Sequence, residues 1–251
     1  MSFAPVIDAL GIPPSALVEQ RVPKKLLLEH GAPTAADKRQ IQDGIEEIIW
    51  VAALKPTNIG VPAFEDVVRQ YLEIAVLTVE LRSAARPPRL IELIHRAIPY
   101  PLVLVVEHGE SVSLSLAHKR WSQGETGKVV IEDVRLVALS PDAPSNQEDA
   151  FLASIAVSRL PSRDLFVLYD GILARLAALV ASRITGAFAP PESGEDATAL
   201  QEGLDRYAKL QRELELLRAR AEKGKQINRR VELNVEIQRL QAELAAIQTE
   251  L

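Results

Sequence analysis

The chain has 251 residues, 47% of them hydrophobic and 25% charged, with no cysteine and a net charge of -5. These proportions belong to a folded globular protein and exclude a largely disordered, collagenous or disulfide-stapled one. The missing cysteines also exclude thiolate metal sites and cysteine nucleophiles, and 29 Lys+Arg against 34 Asp+Glu give no global field toward nucleic acid or anionic lipid.

The first twenty residues have no basic start and carry Asp8, Pro5, Pro13 and Pro14, unlike a secretory signal. Residues 101–106 are too short to span a bilayer, and 165–181 contain Asp170 and Arg175, so a soluble, cytoplasmic protein with no membrane partner is expected. Up to residue 31 proline punctuates the chain, and Pro23-Lys24-Lys25 precedes Leu26 to Leu28, which predicts an ordered but irregular arm. Thr34 suits the cap of a helix carrying Asp37, Lys38, Ile41 and Ile45. The β-branched and aromatic run Ile48-Ile49-Trp50-Val51 then predicts a strand from about Glu47, ended by Lys55-Pro56-Thr57-Asn58. Residues 71–81 are apolar on both parities, as a central strand requires.

Pro87 and Pro88 open a helix with Leu90, Ile91, Leu93, Ile94 and Ile98 at helical spacing, and Pro99-Tyr100-Pro101 closes it. Residues 102–107 and 112–117 flank His108-Gly109-Glu110-Ser111 as a β-hairpin. A loop over 121–128 leads to a strand over 129–139, and 151–157 alternates as an edge strand. Ser162 is expected to cap a long helix over 163–185, with Leu165, Leu168, Ile172, Leu176, Leu179 and Val180 facing the core. The fold class is α+β, a mixed or antiparallel sheet of about five to six strands covered by helices.

Pro190-Pro191-Glu192-Ser193-Gly194-Glu195 has nothing apolar to bury, so a linker over 190–196 separates an α+β domain, 1–189, from a helical one, 197–251. There Leu200, Leu204, Tyr207, Leu210, Leu214, Leu217 and Ala221 recur at three- and four-residue steps. Leu233, Ile237, Leu240, Leu244, Ile247 and Leu251 form a second seam of the same kind. Gly224 between the seams predicts the turn of a C-terminal coiled-coil hairpin; one continuous helix that dimerises is the alternative.

Around that turn Arg218, Arg220, Lys223, Lys225, Arg229 and Arg230 make a locally cationic tip. It suits contact with phosphate or an acidic partner, or simply a solvated turn paired with nearby glutamates. Tyr100, held extended between two prolines, is a candidate partner contact, as are Leu240, Leu244 and Ile247 on the second seam. For a Mg2+ site the donors are Glu65, Asp66, Glu73, Glu80 and Glu107. The most nuclease-like arrangement pairs Glu65 or Asp66 with Glu80 and with Arg82, which cannot shuttle a proton; a nuclease using Glu73, Glu80 or neighbouring carboxylates is the enzymatic alternative. The histidines form no spaced pair, although His108 and His118 approach across the predicted hairpin, and there is no P-loop, dinucleotide fingerprint or G-x-S-x-G elbow. No cofactor and no resident metal are expected.

Three stretches, IEEIIWVAALKPTNIG over 45–60, AIPYP over 97–101 and NRRVELNVEI over 228–237, occur in that order ahead of the closing seam, with Pro-Lys-Lys at 23–25. In these the chain resembles bacterial domain-of-unknown-function family 4391. The resemblance implies, through company with helicase and type III-like methyltransferase genes in restriction or antiphage clusters, an accessory protein of a DNA-directed defence assembly. Its implied partners are helicase or methyltransferase subunits and DNA. The expected function is therefore a non-enzymatic accessory or recognition subunit docking through its C-terminal coiled coil. A Mg-dependent nuclease and a homo-oligomeric structural protein are the alternatives.

Overall fold

The computed structural model describes residues 3–124, 129–140, 142–223 and 227–251, without the side chains of 227–230. By its internal contacts the chain divides into two compact units, Met1–Leu173 and Ala174–Leu251.

The arm of the first unit is more regular than proline spacing suggests. It comprises helix α1 (Ala4–Ala9), a single 3-10 turn (Pro14–Ala16), strand β1 (Leu17–Arg21) and helix α2 (Lys24–His30). Then follow α3 (Ala35–Gly44), β2 (Ile45–Leu54), the one-turn α4 (Pro56–Ile59), the short strands β3 (Phe64–Glu65) and β4 (Gln70–Tyr71), and β5 (Ile74–Leu81). Helix α5 (Pro87–Ala97) leads to β6 (Leu102–His108), β7 (Ser111–Leu116), β8 (Lys119–Trp121), β9 (Val129–Ile131) and β10 (Arg135–Leu139). Helix α6 (Asn146–Ser154) and the first turns of α7 (Leu165–Thr185) complete the unit.

Six strands form a mixed sheet in the order β1-β2-β5-β6-β7-β10, so the α+β expectation holds. Only β5 and β6 run parallel within it, joined through α5, with Ala75 opposite Leu102 and Leu81 opposite His108. A parallel pair needs such a crossover, and the helix buries one sheet face. On that face Leu77, Val79, Leu104 and Val106 pack with Leu90, Leu93 and Ile94 of α5, Ile41 of α3 and Leu27 of α2. Val76, Val103 and Val105, of opposite parity, are equally buried, as an apolar run on both parities demands. At one edge β1 is bulged between Leu17 and Gln20, where Glu19 takes a φ of 50°, a distortion that blunts an exposed edge.

Local chemistry explains several boundaries. Thr34 accepts a hydrogen bond from the Asp37 amide at 3.1 Å and starts α3 as expected. Lys24 of the Pro-Lys-Lys segment donates to the carbonyls of Gln42, at 3.3 Å, and Ile45, closing the α3–β2 junction. Asn58 ends β2 by accepting from the Lys55 amide and donating to the Ala53 carbonyl, while Gly60 takes the left-handed φ of 71° that caps α4.

Three expectations are corrected. Residues 151–157 are not a strand: Ser145 and Glu148 form a reciprocal capping box that starts α6 and buries Phe151. The strand over 129–139 is two strands, β9 paired with β8 and β10 with β7, parted at Glu132, whose carboxylate meets Arg69 at 3.3 Å. Asp164, not Ser162, caps α7, accepting from the Val167 amide at 2.9 Å. Among the described residues α7 is the one helix long and apolar enough to cross a membrane, and 61% of that stretch is buried in the fold.

The second unit holds the rest of α7, α8 (Gly194–Lys223) and α9 (Ile227–Glu250). Ser193 caps α8 by accepting from the Asp196 amide at 3.1 Å, so the helix begins at Gly194. Glu195 and Asp196 in its first turn and Arg220 and Lys223 in its last both oppose the helix dipole. Leu210, Leu214 and Leu217 of α8 share a buried cluster with Leu233, Leu240, Leu244 and Ile247 of α9, and Arg206 meets Glu243 at 3.1 Å. Leu204 joins Ala177 and Ala181 of α7 in an adjoining cluster. The expected turn at Gly224 lies outside the described residues.

Candidate functional site

Two of the stretches that carry the resemblance meet in the first unit. Trp50, on the helix-covered face of β2, and Tyr100, in the proline-bounded turn between α5 and β6, stand with ring centroids 6.2 Å apart and planes tilted by 57°. The Trp50 indole N–H is fixed by donation to the Ala52 carbonyl at 2.8 Å, which sets the ring's direction. Between them opens a cleft of about 990 Å³, bounded by Leu26 and His30 of α2, Arg96 and Ala97 of α5, and Val129 to Ile131 of β9. A second cavity of about 200 Å³ lies against the same Pro99-Tyr100 turn, lined by Gln70, Leu72, Lys119, Arg120 and Trp121.

Lys119 is the unusual residue of this region. It begins β8 yet is only 3% exposed, and its ammonium donates to the carbonyls of Ile98 and, at 2.6 Å, Tyr100. Desolvation on burial pushes its amine down to about 7. His95 of α5 shares its field: fully buried, bonded through Nε2 to Ser115 Oγ at 2.9 Å, it is held down to about 3 by burial first and by the Lys119 charge second. Its Nδ1 has no partner among the described residues. A buried cation beside an unsatisfied imidazole nitrogen is costly, and such groups concentrate where a ligand is bound.

The sequence-derived candidates are placed as follows. Tyr100 sits in the wall shared by the two cavities. Leu240, Leu244 and Ile247, expected to face a partner, are 2%, 6% and 2% exposed, their surface taken up by the α8–α9 cluster. Arg218, Arg220 and Lys223 are exposed at the end of α8, whereas Lys225 and the side chains of Arg229 and Arg230 lie outside the described residues.

Glu73 and Glu80 are not brought together. They are seven residues apart along an extended segment, roughly 23 Å at 3.3 Å per residue, and Glu73 is engaged by Lys55 at 3.0 Å. Glu80 does lie beside Glu47 and Glu107 on neighbouring strands, with Arg21 holding Glu47 at 3.3 Å and Arg82 holding Glu46 at 2.5 Å. Among the described residues no three His, Asp or Glu side chains are placed to share a metal ion. His108 and His118 do not meet: His108 reaches the Ser83 carbonyl at 3.3 Å, while His118 joins the Tyr71 hydroxyl at 2.6 Å and Asp170 at 3.3 Å. That group is packed within Phe166 and Tyr169, and Tyr71 is wholly buried, so it is a structural network.

Sequence reasoning missed Lys119, Trp121 and Arg120. The available signal was a lysine closely following Ala117 and the pair Leu114 and Leu116, which alternate as the inward side of a strand, a position at which burial requires backbone acceptors nearby. Neither a curated protein nor a solved structure matches the chain. The family model described as domain of unknown function DUF4391 matches residues 10–244, nearly the whole of the chain including both units, and the chain belongs to that family.

Proposed function

We propose that this chain is a non-enzymatic accessory or recognition subunit of a bacterial DNA-directed defence assembly, acting in the cytoplasm. In this reading α8 and α9 form an antiparallel coiled-coil hairpin that docks the chain onto a helicase or methyltransferase subunit. The supporting observation is how the apolar side chains of that pair are divided. The seam closes on itself, but Leu216, Val231 and Val235 are left 61%, 57% and 62% exposed. Val231 and Val235 each stand two residues from buried Leu233, about 200° around a helix of 3.6 residues per turn, and so share the back of α9. Two valines at i and i+4 on a helix back form a small apolar stripe of the spacing that helix-in-groove recognition uses. No comparable observation favours a nuclease, since Glu73 is tied to Lys55 and distant from Glu80.

The test is the Val231→Asp/Val235→Asp variant of the full chain, mixed with the products of adjacent helicase and methyltransferase genes and followed by gel filtration. Both side chains are exposed, so helicity should stay unchanged while partner affinity falls by tenfold or more, on the order of 2 kcal/mol for a central contact. Undiminished co-elution overturns the docking role of this face. Loss of self-association by the isolated chain assigns it to homo-oligomer formation instead.

A further inference from the structure

The protein's only two tryptophans line the two adjoining cavities of the first unit, Trp50 the larger and Trp121 the smaller, with Pro99, Tyr100 and Val129 common to both. The smaller cavity is lined by two cationic residues, Lys119 and Arg120, and by no carboxylate among the described residues. Arg120 has Glu132 at 3.8 Å, but the Lys119 ammonium has only the carbonyls of Ile98 and Tyr100 and no carboxylate partner among the described residues. A buried cation without a counter-ion is stabilised by an arriving anion far more than a solvated one, because little water must be displaced from it. On the other side of Tyr100, the tilted Trp50–Tyr100 pair offers aromatic faces, with His30, Glu29 and Arg96 at the rim, Arg96 being paired with Glu92 at 2.8 Å. Aromatic faces in one cavity beside two cationic residues in the adjoining one match a nucleotide: the base stacks on the rings and the phosphate meets the positive charge.

We propose that this cleft binds a nucleotide unit, its base against Trp50 and Tyr100 and its phosphate toward Lys119 and Arg120. The unit is either a free mononucleotide or one residue of a single strand; both offer the same chemistry. The site lies wholly within Met1–Leu173 and does not depend on the docking role of the C-terminal helices. At about pH 6, where Lys119 as well as Arg120 carries its proton, about two cations are engaged on a single strand and the logarithm of affinity should fall with the logarithm of salt at a slope near -1.4.

Because both tryptophans belong to the site, intrinsic fluorescence of the full chain reads it directly. The titrants are adenosine monophosphate, a short oligothymidylate and inorganic phosphate. Saturable quenching by the mononucleotide and the oligonucleotide alike identifies a free-nucleotide site, and quenching by the oligonucleotide alone identifies strand binding. Tyr100→Ala should weaken binding about fivefold or more through lost stacking. Lys119→Met, which keeps an unbranched apolar stem one atom shorter and removes the buried charge, should weaken it about tenfold or more. If Lys119→Met unfolds, as judged by circular dichroism, the partly exposed Arg120→Gln takes its place, with a shallower salt slope expected. Absence of saturable quenching by either nucleotide probe overturns the proposal. So does equal binding by wild type, Tyr100→Ala and the charge variant, or a response to inorganic phosphate as strong as that to the nucleotides.

Discussion

Lys119 links the cleft to the stability of the first unit through its proton. Unfolded, its amine keeps the proton to its ordinary value of 10.5; folded, burial brings this to about 7. Between those values the unfolded chain binds the more protons, so raising the pH through this window favours the fold, and below about 7 the contribution is flat. Urea melts followed by tryptophan emission should show stability rising from pH 7 to pH 10 by about 3–4 kcal/mol, an increase that is missing in Lys119→Met. A profile identical in the two proteins would show that the ammonium is as well solvated as a surface lysine. His95 acts in a separate range: its folded value near 3 lies below the ordinary 6.5, so it contributes stability that disappears as acid is added through that interval.

At the scale of elements, the cleft depends on how closely α2 approaches α5. Gly31, at the C-terminal end of α2, has a φ of -106°, so no backbone conformation requires glycine there. The reason is space: a Cβ would stand 2.6 Å from the Leu93 carbonyl oxygen and 2.8 Å from the Ala97 Cβ, both on α5. Gly31→Ala must therefore push the helices apart, costing about 1–3 kcal/mol and displacing Arg96 and Ala97 at the cleft wall. Thermal melting read by tryptophan emission tests this, and an unchanged midpoint would mean the helix contact yields at no cost. Much of this layer was legible in the sequence. Thr34, the twin prolines of α5 and the unbroken apolar run of β5 act within a few residues of themselves, so the local pattern decides them. Residues 151–157 misled because their alternation competes with a capping box three positions upstream, and hydrogen bonding of the first helical turn prevails over a short parity pattern. The pairing of Trp50 with Tyr100, and of Lys119 with two carbonyls of the α5–β6 turn, joins residues tens of positions apart, which periodicity does not encode.

For the whole molecule, the decisive feature is that each unit has its own buried cluster. The seam spacing of leucines announced the C-terminal cluster, because a stripe at three- and four-residue steps has only another helix to pack on. Leu240, Leu244 and Ile247 pack against Leu210, Leu214 and Leu217 of α8, so the spacing marked them as a packing surface while the identity of the covering helix is not encoded in one seam. The two units also differ in their probes, since both tryptophans lie in Met1–Leu173 whereas the long helices α8 and α9 lie in Ala174–Leu251. Leu240→Ala, at a position 2% exposed, should remove about 2–5 kcal/mol from the helix pair. Its effect should appear as an early loss of helical circular dichroism, while the tryptophan transition keeps its midpoint and the wild-type curves stay closer together. Such a split shows two cooperative units, in which the helices can be altered for docking without disturbing the cleft. If both signals shift together in Leu240→Ala, the chain melts as one unit, and variants of the helix pair can no longer be read independently of the cleft.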